Sequence, residues 1–328
     1  MTVLPTRRAM IAGATASVLA APNLARAQAN WPTGTIRIIC GTAAGGLTDL
    51  FSRAYGEYIS RQTGQTVVVE NRPGASGGIA AQAVKQAPPD GLTFILTIST
   101  TFFANRILIS NLQYDPDKDF KFISAMPAGH LPLIVHRSTG VTNVRQFLDY
   151  ARNNNISFGT YGAGSFPHTV AFEFNKMLDR KMVPVHYRGE APMWNDFNSG
   201  ALQAAIGSYL GSAGVLQSGV GRAIAVPTDR RMGKLPDVAT YSEQGINIRV
   251  LQLKGWVGLF APAALPDAIA DRVSTLMVEA GKTEAIRKML DTFGIDEAAM
   301  GRAASQKLYD EEGPDWIAAT RQLGITPS

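Results

Sequence analysis

Residues 35–71 read TIRIICGTAAGGLTDLFSRAYGEYISRQTGQTVVVEN, and this stretch decides the fold. It opens with a run of β-branched and aliphatic residues at 35–40 and closes with a second such run at 66–71. Between the two runs, apolar residues recur at helical spacing, namely Leu47, Leu50, Phe51, Ala54 and Tyr58. This order predicts a strand, a helix and a second strand, which together form a βαβ unit.

The same alternation continues through most of the chain. Further strands are predicted at 92–98, 131–136, 156–161, 182–187, 202–207 and 222–227, with helices at 80–87 and 144–153. Two apolar helical stripes follow, at 269–277 and 286–293, and such stripes are typical of helices that face a core. Because alternating strands and helices build mostly parallel sheets covered by helices, the sequence predicts an α/β protein.

The composition is that of a globular protein. The chain has 328 residues, of which 45% are hydrophobic and 17% charged, and this length suggests about two domains. The formal charge of +5 includes Arg7, Arg8 and Arg26, and without these three residues the charge is +2. No run of lysine and arginine is interleaved with aromatic residues. This balance argues against binding to nucleic acid.

The first 27 residues have the three parts of an export signal. Arginines occur in TRRAM (6–10), an Ala-rich apolar stretch spans 10–21, and Ala25-Arg26-Ala27 forms a small-x-small cleavage site. A membrane anchor would need about 20 apolar residues, so the stretch is too short for that alternative. We expect cleavage after Ala27 and a soluble mature chain in the periplasm that begins at Gln28.

Two further features bear on export. Arg7 and Arg8 after Thr6 partly fit a twin-arginine signal, and the general secretory route stays open. Cys40 is the only cysteine, so the chain cannot form an internal disulfide. Because Cys40 is not at the cleavage point, a lipid anchor there is excluded.

Two similar glycine-rich turns each join a predicted strand to a predicted helix. The first glycine turn is GTAAGGLTD (41–49), and the second glycine turn is TYGAGSFPH (160–168). Helix N-termini carry unpaired N–H groups and partial positive charge, and ligands of open α/β sheets collect there. One such turn is typical of an ordinary helix cap, whereas two favour an anion site. Leu47 takes the lysine position of the phosphate-loop pattern, which favours a carboxylate over a triphosphate.

Several longer segments, in the same order along the chain, resemble one family. They are TVVVENRPGASGGIAAQAV (66–84), APPDGLTFIL (87–96), YDPDKDF (114–120), VHYRGEAPMWNDF (185–197), KLPDVATYSEQGI (234–246) and WVGLFAPAALP (256–266). Together they resemble the Bug family, the periplasmic solute-binding receptors of tripartite tricarboxylate transporters. The similarity extends over nearly the entire mature chain.

The resemblance implies a type II periplasmic-binding-protein fold, with two α/β domains and a ligand cleft between them. It implies a first domain at 28–127 plus 250–328 and a second domain at 128–249, with crossovers near 125–130 and 248–254. A monomeric receptor of this kind is not an enzyme and needs no cofactor. It passes a small organic carboxylate to the membrane components of a transporter, or to a sensor. The four histidines lack the paired spacing of a zinc site, so no metal is expected.

The resemblance also implies a ligand site made of both glycine turns. The first side comprises Ala43, Ala44, Gly45, Gly46, Thr48 and Asp49, and the second comprises Tyr161, Gly162, Gly164, Ser165 and His168. We expect a side chain at Gly46 to fill this cradle and to strain its backbone. For two of these residues a structural role is the alternative. Asp49 would stabilise the helix start, and His168 would brace its turn.

Four more residues are possible ligand contacts. Phe102, Phe103 and Tyr209 are either an apolar wall of the pocket or buried core aromatics. Arg188 is either a cation near the cleft or a tie between a strand end and a loop.

This sequence departs from the family pattern at two places. The positions 41–44 usually hold Pro-Phe-Pro-Pro, which would make the turn stiffer. An acid is common at the position of Gly207, and its loss would weaken selection for an ammonium group. The sequence therefore favours an acid without an amino group and with an apolar or aromatic body. An exported enzyme acting on a small carboxylate, or an adhesion protein, is the alternative.

Overall fold

The computed structural model describes residues 31–327 except 129–130, 179–181, 188, 228 and 254. The predicted export signal and Arg188 therefore lie outside the described residues, as do His130 and Lys254 in the predicted crossovers. Among the residues described, no helix combines the length and the apolar character needed to cross a membrane.

The described elements follow the predicted alternation. The strands are β1 (Ile36–Cys40), β2 (Val67–Asn71), β3 (Thr93–Ile98), β4 (Phe120–Pro127), β5 (Leu133–His136), β6 (Ser157–Thr160), β7 (Val183–His186), β8 (Ala204–Ile206), β9 (Gly221–Ala225) and β10 (Trp256–Pro262). The helices are α1 (Leu47–Thr63), α2 (Gly78–Lys85), α3 (Asn105–Leu108), α4 (Val144–Asn153), α5 (Phe166–Lys176), α6 (Glu190–Asn198), α7 (Tyr209–Gln217), α8 (Asp267–Gly281), α9 (Glu284–Phe293) and α10 (Arg302–Gln322). Every predicted strand is present, whereas β4 and β10 were not predicted.

The strands form two five-stranded sheets, in the orders β2-β1-β3-β10-β4 and β7-β6-β8-β5-β9. In the first sheet β1 pairs parallel with β2 and β3, while β10 pairs antiparallel with β3 and β4. In the second sheet β6 pairs parallel with β7 and β8, while β5 pairs antiparallel with β8 and β9. The α/β prediction is confirmed, but both sheets are mixed. Apolar periodicity identifies a strand and not its direction, so the expectation of mostly parallel sheets was wrong.

Helices cover both faces of each sheet. Along β1, Ile38 packs in a core cluster with residues of α1 and α8, and Ile39 packs in another with residues of α2. Along β5, Val135 packs with residues of α4 and α5, and Ile134 packs with residues of α6 and α7. This alternation follows from the period of two along a strand. The parallel strands of each sheet therefore end at one edge, and the first glycine turn follows β1 while the second follows β6.

The last helix, α10, contacts the cores of both sheets. Tyr309 packs beside the cluster of the first sheet, Ala319 is buried in that of the second, and Trp316 packs against both. The predicted domain boundaries, 28–127 plus 250–328 and 128–249, stay a proposal. The position of Ala319 indicates that the C-terminal end of the predicted first domain also packs in the core of the second sheet.

Candidate functional site

A cavity of about 140 Å³ lies between the two sheets. One wall follows β3 and contains Ile98, Ser99, Thr100, Phe103 and Ala104. The opposite wall belongs to the second glycine turn and contains Tyr161, Gly164, Ser165 and Phe166. The segments between the sheets contribute Ala128, Leu131, Leu253 and Gly255, and Trp256 and Trp316 complete the apolar lining. Among the described residues that line the cavity, none carries a charged side chain.

The second glycine turn presents the start of α5 to this cavity. Gly164 has a φ of +73°, a conformation that favours glycine, and its N–H donates to Nδ1 of His168 at 3.1 Å. The hydroxyl of Ser165 donates to the carbonyl of Gly162 at 2.6 Å. A β-carbon on Gly164 would lie 2.8 Å from Cδ1 of Leu108 in α3, so this turn packs closely against the first sheet's side of the cavity.

His168 is held as a neutral acceptor. Burial, and to a smaller extent the neighbouring His186, lower the pKa of His168 to about 4, so the imidazole is uncharged at neutral pH. Because its Nδ1 accepts from Gly164, its proton is on Nε2. The rings of His168 and His186 lie 4.4 Å apart, and His186 in turn contacts the hydroxyl of Thr160 at 2.7 Å. These contacts support the bracing role of His168, which does not line the described cavity wall.

The histidine pair is not part of a larger ligand cluster. Within the described part of the chain, no group of three or more His, Cys, Asp or Glu side chains is arranged to hold a metal ion.

The first glycine turn has a similar backbone conformation, but it binds a carboxylate of the protein itself, that of Asp49. Gly45 has a φ of +86°, and its N–H donates to Asp49 at 2.9 Å. Asn71 and Arg53 also donate to the Asp49 carboxylate, at 2.8 and 3.1 Å. Burial alone would raise the pKa of Asp49, but hydrogen bonds from Arg53, Gly45 and Asn71 hold it below its ordinary value. The carboxylate is bonded to three donors of the protein, which supports the structural alternative for Asp49, and its place in the ligand site stays a prediction.

The remaining residues of the first glycine turn do not line this cavity. Ala43, Ala44, Gly45 and Gly46 are exposed, and Thr48 is buried. Gly46 has a φ of −83°, and the nearest atom to a β-carbon added there would be 3.9 Å away. The expectation that Gly46 requires glycine was therefore wrong, and Gly45 is the position with the left-handed backbone.

Comparison with known protein families identifies the family of this chain. Residues 51–325 match the model of the tripartite tricarboxylate transporter family receptor. The chain belongs to this family.

Other members of the receptor family are similar over nearly their whole length. A UPF0065 protein of Bordetella bronchiseptica is 28% identical over 313 residues, which are 95% of this chain and 92% of the relative. The structure of a Rhodopseudomonas palustris protein with adipate is 28% identical with a TM-score of 0.79, covering 91% of this chain and 100% of that one. MatC of the same organism, solved with bound malate, is 25% identical with a TM-score of 0.71, covering 88% and 100%. The resemblance to the Bug receptors and the predicted periplasmic-binding-protein fold are confirmed.

Within this receptor fold, the three predicted aromatic residues lie in different places. Phe103 lines the cavity. Phe102 is fully buried and stacks on Phe260, with ring centroids 3.9 Å apart, so it is a core residue and not part of the wall. Tyr209 lies beside Gly294, where an added β-carbon would be 3.2 Å from the Tyr209 ring. Neither Phe102 nor Tyr209 lines the described cavity, which favours the alternative that Phe102 is a core aromatic, and the ligand contacts of both residues stay a prediction.

Several residues that line the cavity were not predicted from the sequence. Ser99 and Thr100 follow β3, and their polar character directly after an apolar strand parallel to β1 was an available signal. Trp256 and Trp316 come from distant segments, and no local pattern points to them. Trp256 is 1% exposed, and its indole Nε1 has no hydrogen-bond partner among the described residues. The cavity wall thus contains a tryptophan whose buried indole N–H has no partner among the described residues.

Proposed function

We propose that this protein is a periplasmic receptor that encloses one small organic acid between its two sheets. It then passes the acid to the membrane components of a tripartite tricarboxylate-type transporter, or to a sensor. One observation carries this proposal: the cavity is bounded by the start of α5 on one side and by apolar and aromatic side chains on the others. The relatives solved with adipate and with malate support an acid as the ligand class.

The ligand carboxylate is assigned to the start of α5. Ser165 and Phe166 line the cavity there, and the first turn of α5 contains no acidic residue. Pro167 has no N–H, so the N–H groups of Phe166 and His168, together with the helix dipole, are what favours an anion there. Burial raises the pKa of Tyr161, so its hydroxyl remains a donor at neutral pH. The unpaired Nε1 of Trp256 is another donor, since a buried N–H without a partner costs about 1–3 kcal/mol.

The body of the ligand is assigned to the apolar part of the cavity. Phe103, Leu131, Leu253 and Trp316 form this part. The indole N–H of Trp316 already donates to Glu312 at 3.4 Å, and the other three side chains have no polar atom. Small-molecule sites commonly combine such an apolar lining with a few polar groups that fix orientation. An acid with an aliphatic or aromatic body fits this lining better than a compact, highly charged acid.

Closure requires contacts on both sides of the cleft. The second glycine turn approaches Leu108, and at another point Lys234 pairs with Asp291 at 2.7 Å. A ligand that touches both sheets stabilises the closed form, and this differential affinity is sufficient for capture and release. Catalysis is not assigned, and the hydroxyl of Ser165 donates to the backbone carbonyl of Gly162.

A ligand screen of the mature chain from Gln28 tests the proposal. Thermal unfolding is followed over aliphatic monocarboxylates and dicarboxylates, an aromatic carboxylate, citrate and aspartate. A ligand at about 100 times its Kd adds roughly 2.7 kcal/mol to the free energy of unfolding, so a binder is visible as a raised Tm. NMR of the recovered acid should show no turnover. Stabilisation by none of the acids, or conversion of one of them, contradicts the proposal.

A matched pair of tryptophan variants then tests the location. Trp256→Phe keeps an aromatic ring but removes the unpaired N–H, and it should weaken acid binding by about fivefold to tenfold. Trp31→Phe is the control, because Nε1 of Trp31 donates to the carbonyl of Gly91 outside the cavity. Equal affinities of the two variants would place the acid elsewhere.

A further inference from the structure

Three helices begin side by side at the carboxyl edge of the second sheet. Strands β6, β7 and β8 run parallel, and they are followed by α5, α6 and α7. Each helix start carries partial positive charge and free N–H groups. The edge beside the cavity would therefore offer three neighbouring positions for anionic groups.

The carboxylate of Glu190 occupies the starts of two of these helices. Glu190 is the first residue of α6, and both its oxygens lie 3.0 Å from the amide nitrogen of Ser208, which caps α7. The hydroxyl of Ser208 donates to Oε2 of Glu190 at 2.8 Å, and Nε1 of Trp194 donates to the same oxygen at 3.3 Å. The protein thus supplies the Glu190 carboxylate at α6 and α7, whereas the first turns of α5 and α7 contain no acidic residue of their own.

Glu190 fills the space beside Gly207. A β-carbon on Gly207 would lie 3.0 Å from Oε2 of Glu190 and 2.7 Å from the Trp194 ring, so a larger residue at 207 would displace them. The family resemblance places an acid at 207. In this chain a carboxylate reaches that place from residue 190, so the absence of an acid at 207 does not remove the charge.

This carboxylate lies next to the cavity wall. The N–H of Gly189 donates to the carbonyl of Tyr161 at 3.3 Å, which holds the start of α6 against the second glycine turn. Tyr161 itself lines the cavity. After burial, the Glu190 charge is the second cause that raises the pKa of Tyr161, which agrees with this proximity.

We propose that Glu190 restricts this receptor to acids with a single carboxylate, because it repels a second anionic group from the starts of α6 and α7. The inference rests on the proposed function and adds to it the number of carboxylates that the ligand carries. The carboxylate binds at α5, and the far end of the ligand is uncharged. Like charges brought together in a partly desolvated site disfavour binding strongly, so the effect acts mainly through rejection of diacids.

Adipate and its monomethyl ester provide the test, since they have the same chain and differ by one charge. Calorimetry at pH 7.5 compares both ligands with the wild type and with Glu190→Gln. The wild type should bind the ester at least about tenfold more tightly, and the variant should lose most of this preference. Glutamine keeps an oxygen that accepts from Ser208. Glu284→Gln is the control, because Glu284 is also the first residue of a helix, α9, and is exposed.

The outcomes separate the two proposals. If the wild type binds adipate at least as tightly as the ester, the role of Glu190 is refuted while the receptor function stands. The same follows if Glu190→Gln and Glu284→Gln retain equal preferences. If 6-aminohexanoate, whose ammonium group is at the far end of the chain, binds more tightly than hexanoate, Glu190 accepts an ammonium group and the proposal is wrong. If neither ligand nor any acid of the screen binds, the receptor function itself fails. Should Glu190→Gln not fold, the wild-type preference alone decides.

Discussion

The two glycine turns have nearly the same backbone and differ in the side chain that closes them. In each turn a glycine with positive φ, Gly45 or Gly164, donates its N–H to a side chain four residues later. The acceptor is the charged Asp49 in the first turn and the neutral His168 in the second. The partial positive charge at the start of α1 is therefore compensated by a carboxylate of the protein, and that at the start of α5 remains available to the carboxylate of a ligand. Similar sequence motifs can thus have different electrostatic roles.

The largest effect is expected when the second glycine turn receives the charged acceptor of the first. His168→Asp would add a negative charge at the start of α5, and we expect acid binding to weaken by about a hundredfold or more, because like charges in such a site cost several kcal/mol. His168→Asn is the control, since it retains a neutral acceptor for the N–H of Gly164. Titration calorimetry measures both. Tight binding by His168→Asp would show that the carboxylate does not bind at α5.

A pair of alanine substitutions compares the backbones. Gly164→Ala introduces a β-carbon at φ +73° and 2.8 Å from Leu108, so the free energy of unfolding should fall by about 1–3 kcal/mol and ligand affinity should fall with it. Gly46→Ala introduces a β-carbon into open space, and its effect on unfolding should stay within about 0.5 kcal/mol. Urea denaturation gives both values. Equal losses in the free energy of unfolding would contradict the difference in backbone conformation and packing between Gly164 and Gly46.

The sequence predicted the turns but not their difference. The order of strand end, glycines and helix start is local, and so is the four-residue spacing that joins Gly45 to Asp49 and Gly164 to His168. Whether the carboxylate of Asp49 also accepts from a distant donor depends on Asn71, which lies at the end of β2. Two further features could not be predicted for the same reason, which is that they depend on tertiary packing. They are the place of Trp256 in the cavity wall and the contact between Glu190 and Gly207. These residues meet only when separate segments pack together, and one sequence contains no signal for that packing.

The two turns should also respond to acid in different ranges of pH. The pKa of His168 is lowered from 6.5 to about 4, so between these values the unfolded chain binds a proton that the folded chain excludes. This contribution to stability is present above about pH 6.5 and is lost as the pH falls toward 4. Because His168 is only half-buried, we expect a loss of about 2 kcal/mol for the wild type relative to His168→Asn, measured by denaturation from pH 7 to 4.5.

Asp49→Asn provides the contrasting measurement. The pKa of Asp49 lies below 3.8, so the stability that its charge contributes is present above that value and is lost only as the pH falls further. The wild type and Asp49→Asn should therefore have parallel stability profiles between pH 7 and 4.5. A loss specific to the wild type in that range would show that Asp49 is not held as a charged group.

The smallest effect is expected at Arg53, which donates to Asp49 of the first glycine turn. Its side chain is 51% exposed and pairs with the buried Asp49 at 2.9 Å, while Gly45 and Asn71 continue to donate to that carboxylate when Arg53 is replaced. Arg53→Ala should lower the free energy of unfolding only slightly, because an exposed ion pair is screened by water and contributes little. Arg61→Ala is the control on the same helix, since Arg61 forms an exposed pair with Glu57 at the same spacing and should lose less. Neither variant should change acid affinity. A weaker affinity for Arg53→Ala alone would show that the first glycine turn also contributes to the ligand site, and the contrast between an internally neutralised turn and an open one would then fail.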